Sequence, residues 1–432
     1  MGEKKIFIIG YEAANLLHLQ RLAASRDYRF YPALHHAELR SAVLDMPTLV
    51  ETAYARMRAV RGGPDAVLSY YDFPGTDLVP VLAQRFGLLA PSLSSVLKCE
   101  HKYWSRLEQK KIIPQHLPRF CAFAPEAGPR AFDELGIPPP FWVKPVKSYR
   151  GYLAYYIPDR HQFTWAARQL RDKVGQLAEP FNWLLRSNPL FPELVSMSET
   201  CLAESLLDGG QCTLEGYAAG DEIVIYGVVD SIRNSGGASV ARYQYPSCLP
   251  KEVQSRMADA TRRLVRHLGL QNTAFNAEFF YNATADQIYL LEINPRISQS
   301  HAPLFHLVDG ISNHAVALAM ALGEMPPAFV GKGAFRIAAN FMVRVFDGGR
   351  VVAVPGPEQI GAVVREIPEL ELRLHAFAGQ QLDQLNHQES YSFELANIFL
   401  GANDATELVE KYHYCLRQLA FAIQREPQWR VY

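Results

Sequence analysis

Two apolar, aromatic-rich runs with acidic residues inside them constrain this chain most. The first is Ala274-Phe275-Asn276-Ala277-Glu278-Phe279-Phe280-Tyr281, and the second is Ile288-Tyr289-Leu290-Leu291-Glu292-Ile293-Asn294, followed at once by Pro295-Arg296. Asn282 to Gln287, between them, is turn-forming in composition, so the two runs read as an antiparallel hairpin. Strand residues two apart share a face, so Glu292 and Asn294 point the same way. A turn centred near Ala285 sets Glu278 directly opposite Glu292. Two carboxylates facing each other across a ladder repel. Among Phe279, Phe280, Leu290 and Leu291 such a pair is costly unless a cation bridges it or a proton is shared. Glu278, Glu292 and the Asn294 amide oxygen are hard donors that suit Mg2+, with phosphate oxygens completing its shell. Arg296 leaves the strand end just beyond, placed either to grip a phosphate or carboxylate in two-pronged fashion or to close a salt bridge with a strand-end acid. The plain alternative for the whole motif is a surface ribbon whose two Glu residues lie on its wet face.

With 432 residues, the chain is too long for one ordinary core, and two or three domains are expected. Lys plus Arg is 43 and Asp plus Glu is 44, a balance that argues against non-specific nucleic-acid binding. No apolar run reaches the about 18 residues of a membrane span. The run Ile6-Phe7-Ile8-Ile9-Gly10 is too short for a signal peptide and reads as a buried first strand. The six cysteines are scattered without a CxxC pair, so zinc is not expected, and free thiols in the cytoplasm fit best.

Alternating strand and helix patterns up to about residue 95 (Ile6 to Ile9, Ala13 to Ala24, Ala66 to Tyr70, Leu78 to Phe86) suggest a small parallel α/β domain, 1–95. The first turn lacks GxGxxG, so no dinucleotide site is expected there. A middle segment, 96–323, opens with a charged helical stretch, Cys99 to Lys111, and holds a strand at Phe141 to Lys144. A third, 324–432, has β-like runs at Ala339 to Val345 and Arg350 to Val354 and a closing helix from Asp404 to about Arg425.

Lys144, inside an apolar strand, is expensive without an anion, which points to a phosphate contact. Lys102 shares a helix side with Lys98 and Arg106, which by pattern alone reads as a solvated face. Glu204 and Glu215 each suit a ribose hydroxyl or adenine amine, or are plain strand acids. Arg242 follows a Gly/Ser-rich stretch, Asn234 to Ser239, of the kind that forms lids; it holds an acid substrate or is an edge-strand arginine. Ser298 to His301 suit a substrate wall, with His301 and His306 as contacts or as structural histidines.

The set Glu278…Glu292-Ile293-Asn294-Pro295-Arg296 resembles the magnesium hairpin of the ATP-grasp superfamily, in its carboxylate–amine ligase and biotin carboxylase-like branch. In the order that family requires come Lys102 in Glu100-His101-Lys102-Tyr103-Trp104, Lys144 in Phe141-Trp142-Val143-Lys144-Pro145, and Ala203-Glu204-Ser205-Leu206-Leu207-Asp208-Gly209, similar to the hinge strand that reads adenine and ribose. Gln211 to Gly216 is similar to the next strand. The resemblance covers roughly Val96 to His314. It implies an α/β and α+β multidomain chain: an N-terminal Rossmann-like domain, an ATP-grasp domain, and a C-terminal mixed β-rich subdomain. It implies ATP and Mg2+, or Mn2+, as cofactors. Lys102, Lys144, Glu204, Ser205, Leu206, Leu207 and Glu215 would bind the nucleotide, Glu278, Glu292 and Asn294 the metal, and Arg296 and Arg242 would serve catalysis.

The implied reaction activates a carboxylate as an acyl phosphate and couples it to an amine, releasing ADP and phosphate. Its partners are small-molecule carboxylate and amine substrates, without nucleic acid or membrane, and a homodimer is the commonest assembly. The alternatives are biotin-carboxylase-like carboxylation and a non-catalytic ATP-binding sensor or scaffold. Two departures stand out. The segment Lys144 to Tyr152 has a single Gly where a glycine-rich loop would close over phosphates, leaving Lys147, Ser148 and Arg150 as side-chain donors. Gln211 stands where relatives often carry Glu.

Overall fold

The computed structural model describes residues 3–23, 26–41, 43–148, 151–186, 197, 199–233, 239–384 and 392–425. The first strand, β1 (Lys4–Tyr11), is the middle of a parallel three-stranded sheet, flanked by β2 (Tyr28–His35) and β3 (Ala66–Ser69). Ile6 to Ile9 are all buried, as an unbroken apolar run must be when helices cover both faces of a parallel sheet. The longer helices are Ala13–Ala23, Met46–Ala59 and Gly75–Phe86. β2 and the helix Met46–Ala59, which Asp45 caps by accepting from the Thr48 N–H at 3.1 Å, add to the elements expected there.

The expected helical stretch from Cys99 to Lys111 is two helices, Leu93–Glu100 and Lys102–Ile112, broken at His101. The His101 backbone is extended, and its ring nitrogen accepts from the Trp104 N–H at 3.2 Å, capping the second helix. Lys102 thus opens a helix instead of lying along one. Next comes an antiparallel four-stranded sheet of β4 (Phe120–Phe123), β5 (Phe141–Pro145), β6 (Tyr155–Ile157) and β7 (Cys201–Ser205), in the order β4-β7-β5-β6. The helix Arg160–Lys173 covers its outer side with Phe163, Ala166, Ala167 and Leu170.

The largest sheet has eight antiparallel strands. They are β8 (Gly210–Ala219), β9 (Glu222–Arg233), β10 (Val240–Tyr245), β11 (Thr273–Asn282), β12 (Gln287–Asn294), β13 (Ile337–Val345), β15 (Glu371–Leu374) and β16 (Phe393–Ala402). Their order is β12-β11-β8-β9-β10-β13-β16-β15. The helix Lys251–Leu268 packs Met257, Leu264 and Val265 onto the back of this sheet against Leu214, Phe275 and Ile293. The sheet runs on without a break past residue 323, so the last segment supplies three of its strands. A short pair, β14 (Gly349–Ala353) with β17 (Ala422–Arg425), stands apart.

The closing helix covers only Ala405–Gln418; residues 422–425, expected to continue it, form β17. The helical spacing of apolar residues ends at Leu416, and beyond it Phe421 and Ile423 pack beside Val351 and Leu395 as a strand partner for β14. None of the six cysteines is paired. Among the described residues no single helix is long and apolar enough to cross a membrane.

Candidate active site

The four-stranded and eight-stranded sheets enclose a cleft of about 660 Å3, to which the N-terminal domain also contributes. Its best-defined part is the hairpin β11–β12, where Glu278 stands directly across from Glu292. Alternation in β11 sends Phe275, Ala277 and Phe279 into the core behind the sheet and turns Asn276, Glu278 and Phe280 toward the cleft. Near the turn the ladder pairs Asn282 with Gln287 and Phe279 with Leu290. A bulge then skips Leu291, and Glu278 meets Glu292. Had the ladder continued regularly, Glu292 would lie across from Ala277, on the other face.

Glu278 accepts from Gln211 Nε2 at 2.9 Å and from Asn294 Nδ2 at 3.4 Å. Asn294 Nδ2 also donates to Asn276 Oδ1 at 2.9 Å. Burial and the neighbouring Glu292 push the Glu278 carboxyl up to about 7. Burial works against the charge on Glu292 too. Lys102, which donates to its Oε2 at 2.8 Å, outweighs it with help from Lys144 and Arg296 and holds Glu292 down at about 2. One face therefore carries one firmly ionised carboxylate and one that shares its proton near neutrality, the state of an acid pair short of positive charge.

Both expected lysines line the cleft. The Lys102 backbone N–H donates to the Val146 carbonyl at 2.8 Å, tying the start of its helix to the segment after Lys144. Lys102 is no solvated helix residue: its side chain is 17% exposed, and Arg106 beneath it is buried. Lys144 pairs with Glu204, which Arg106 Nε also engages. Two cations share this one carboxylate. Burial, opposed by Glu204 and aided by nearby Lys102 and Arg106, holds the Lys144 ammonium below its ordinary value.

Several expected roles change. Glu204 lines the cleft but is buried, with one oxygen engaged by Arg106 and the other by Lys144, so here it holds a lysine in place. Ser205 and Leu207 of the same segment line the cleft, and Leu206 is exposed beside it. Gly209 then lets the chain pass β11: its φ is +107°, and a Cβ would meet the Tyr281 carbonyl oxygen at 2.0 Å. Glu215 is fully buried behind the wall, accepting from Tyr226 Oη at 3.1 Å and the Ser298 N–H at 3.1 Å and pairing with His301 Nδ1 at 2.9 Å. It anchors the Ser298 to His301 wall and does not line the cleft.

Arg242 faces away from the cleft. In the ladder it pairs with Phe341, over whose ring its guanidinium sits at 5.6 Å, whereas its neighbour Tyr243 lines the cleft. The lid-like stretch before it falls largely on 234–238, outside the described residues. Lys147 is buried, paired with Glu100 and placed over the rings of Phe73 and Phe181 at 4.7 and 5.1 Å. It anchors its segment and presents nothing to a phosphate; Ser148 lines the cleft, and Arg150 lies outside the described residues. Arg296 does line the cleft, held by Asp72 of the N-terminal domain, to which its Nε donates at 2.7 Å. Asp72 and Arg106 carry no motif of their own. Their signal is spatial: each answers a charge found elsewhere in the chain.

Residues 137–303 match the family model of the ATP-grasp domain. Over these residues the fold is that of an ATP-grasp domain. Solved structures with this fold align over nearly the full length of the chain. An L-amino acid ligase from Bacillus licheniformis superposes with a TM-score of 0.71 at 16% identity, covering 98% of this chain and 100% of that one. A phosphoribosylglycinamide synthetase from Anaerococcus prevotii gives 0.62 at 13%, covering 98% and 100%. The biotin carboxylase domain dimer of 2-oxoglutarate carboxylase from Hydrogenobacter thermophilus, in complex with MgADP, ADP and bicarbonate, gives 0.65 at 13%, covering 98% and 91%.

The chemistry of this chain's own residues fits such ligands. Two facing carboxylates lack positive charge, which a divalent cation supplies. Two lysines line the same cleft, and Lys144 shares its carboxylate with Arg106, which suits a polyphosphate.

Proposed function

We propose that this protein is an ATP-dependent, ADP-forming carboxylate–amine ligase. The observation that carries the reading is the face shared by Glu278 and Glu292, with Lys102 reaching onto it and Lys144 beside it. Lys102 and Lys144 bind the phosphate tail, and Ser205 to Leu207 border the base. Glu278, Glu292 and the Asn294 amide are the residues to hold Mg2+, which neutralises phosphate charge when bound. Arg296, steadied by Asp72, presents its guanidinium to the acid substrate. That carboxylate attacks the γ-phosphorus, the bond from phosphorus to the bridging oxygen breaks, and ADP leaves. The amine then attacks the carbonyl carbon of the acyl phosphate, loses a proton to solvent and expels inorganic phosphate. No side-chain nucleophile is required; positioning and charge neutralisation supply the rate.

The test is ADP release against panels of carboxylates, with and without amines. ADP formed only when an acid and an amine are both present supports the reading. Turnover that needs bicarbonate and biotin instead would move the assignment to carboxylation, and ATP binding without turnover on any pair would make the protein a sensor. Glu292→Gln should lower turnover by about 100-fold or more with the fold intact, and undiminished activity in that variant refutes the metal role.

A further inference from the structure

Beyond the phosphate end, the cleft continues across the inner face of the eight-stranded sheet. There β13 presents Asn340, Met342 and Arg344 at alternate positions, β10 presents Tyr243 across from Asn340, and β16 contributes Glu394 and Asn397. Asn340 is fully buried, and neither its Nδ2 nor its Oδ1 has a partner among the described residues. A buried carboxamide with both bonds unmade destabilises a fold. Side chains in that state inside a cavity wall mark a place where a ligand makes the bonds.

Further along the same strand face the charges bear on the class of ligand. Arg344 donates to Glu394 Oε2 at 2.6 Å, to the Val240 carbonyl at 3.1 Å and to Ser392 Oγ at 3.0 Å. Glu394 Oε1 accepts from Asn397 Nδ2 at 2.8 Å and lies 3.4 Å from His375 Nε2. The guanidinium is thus answered by a carboxylate, and Asn340 adds one donor and one acceptor without charge. A phosphorylated substrate calls for unanswered cations; a zwitterion is met by this balance.

We propose that Asn340 is the specificity-determining contact of a subsite for an α-amino acid, with Nδ2–H donating to its carboxylate and Oδ1 accepting from its ammonium. This rests on the ligase reading, in which the amino acid is one of the two substrates.

The test is calorimetric titration of the twenty L-amino acids, and of ribose 5-phosphate as a phosphorylated control, into the protein loaded with MgADP. At least one amino acid binds and ribose 5-phosphate does not. Asn340→Leu weakens that binding more than tenfold, keeps the MgADP affinity within twofold, and leaves the melting midpoint unchanged or raised, since it removes an unpaired buried amide. Asn340→Asp, which keeps the shape and loses the donor, weakens it more than tenfold as well. Absence of amino-acid binding, a loss below tenfold in both variants, or loss of MgADP binding together with a fallen midpoint overturns the proposal. Failure of the wild-type protein to bind MgADP refutes the ligase reading itself.

Discussion

Replacing Glu204 by Gln tests whether its carboxylate organises the phosphate-binding lysines. Glu204 is 4% exposed and is the shared counter-ion of Arg106 and Lys144. Burial raises its pKa, but the two cations outweigh that and bring it from the ordinary 4.5 to about 2. This displacement is worth about 3 kcal/mol of folding free energy at neutral pH. Removing one member of a buried ion pair costs about 3–5 kcal/mol, because the remaining charge stays buried without its partner. The two figures agree, so Glu204→Gln should lose about 3–4 kcal/mol of stability.

The sign with pH follows from the depressed folded pKa. The contribution is fully present above the unfolded value near 4.5 and fades as pH falls through about 2. The gap between wild type and variant should therefore stay constant from neutral pH down to about 5 and narrow below it. Urea unfolding followed by tryptophan fluorescence reads this directly, since Trp142 stands opposite Glu204 in the β5–β7 ladder. A gap below about 1 kcal/mol at pH 7, the range of an exposed pair, would refute the reasoning.

Three further outcomes follow from the site. The Glu278 carboxyl, raised to about 7, carries a proton in the acidic range. Mg2+ must displace it, so calorimetric Mg2+ affinity should rise about tenfold per pH unit up to pH 7 and level off above; a flat profile from pH 5.5 to 8 contradicts this. Glu215→Gln should lower stability by about 1–3 kcal/mol in thermal or urea unfolding while ATP affinity, measured in the folded variant, stays within threefold of wild type. Arg242→Ala should leave turnover within threefold, because its guanidinium covers Phe341 on the face away from the cleft; a hundredfold loss in a steady-state assay would return it to the site.

Composition and strand patterning carried much of the site, but only what a single strand can show. Glu278, Glu292 and Lys144 were legible because carboxylates and ammonium groups inside apolar runs are costly without partners; Lys102, on a helix whose pattern reads as solvated, came forward only through the family resemblance. The identity of those partners was not, because Glu204 answers Arg106 from 98 residues away and Arg296 meets Asp72 across 224. Arg242 and Tyr243 are adjacent, so they face opposite sides, and sequence alone could not say which side is the cleft. That choice is made by the pairing of β10 with β13, a strand about a hundred residues later whose inward face bears Asn340 and Arg344. Glu215 failed for a related reason: its burial in β8 is answered by the Ser298 N–H and His301, supplied by the loop that follows the hairpin.

The acid pair shows how a correct expectation can rest on incomplete geometry. A turn centred on Ala285 would bring Glu278 to Glu292 by regular pairing. The observed turn is offset: Asn282 Oδ1 accepts from the Ala285 N–H at 2.9 Å, Asp286 takes a left-handed φ of 48°, and Asn282 pairs with Gln287. Carried down a regular ladder, that start sets Glu278 against Leu291 and buries Glu292 behind the sheet. The bulge at Leu291 cancels the offset, and it does so within two positions of the carboxylates. An extra residue in a ladder disrupts local pairing, and bringing like charges together adds to that cost. Both are borne at the one point where Lys102 reaches the hairpin. The local irregularity and the local repulsion therefore have a common cause: a face held ready for positive charge that the protein itself only half supplies.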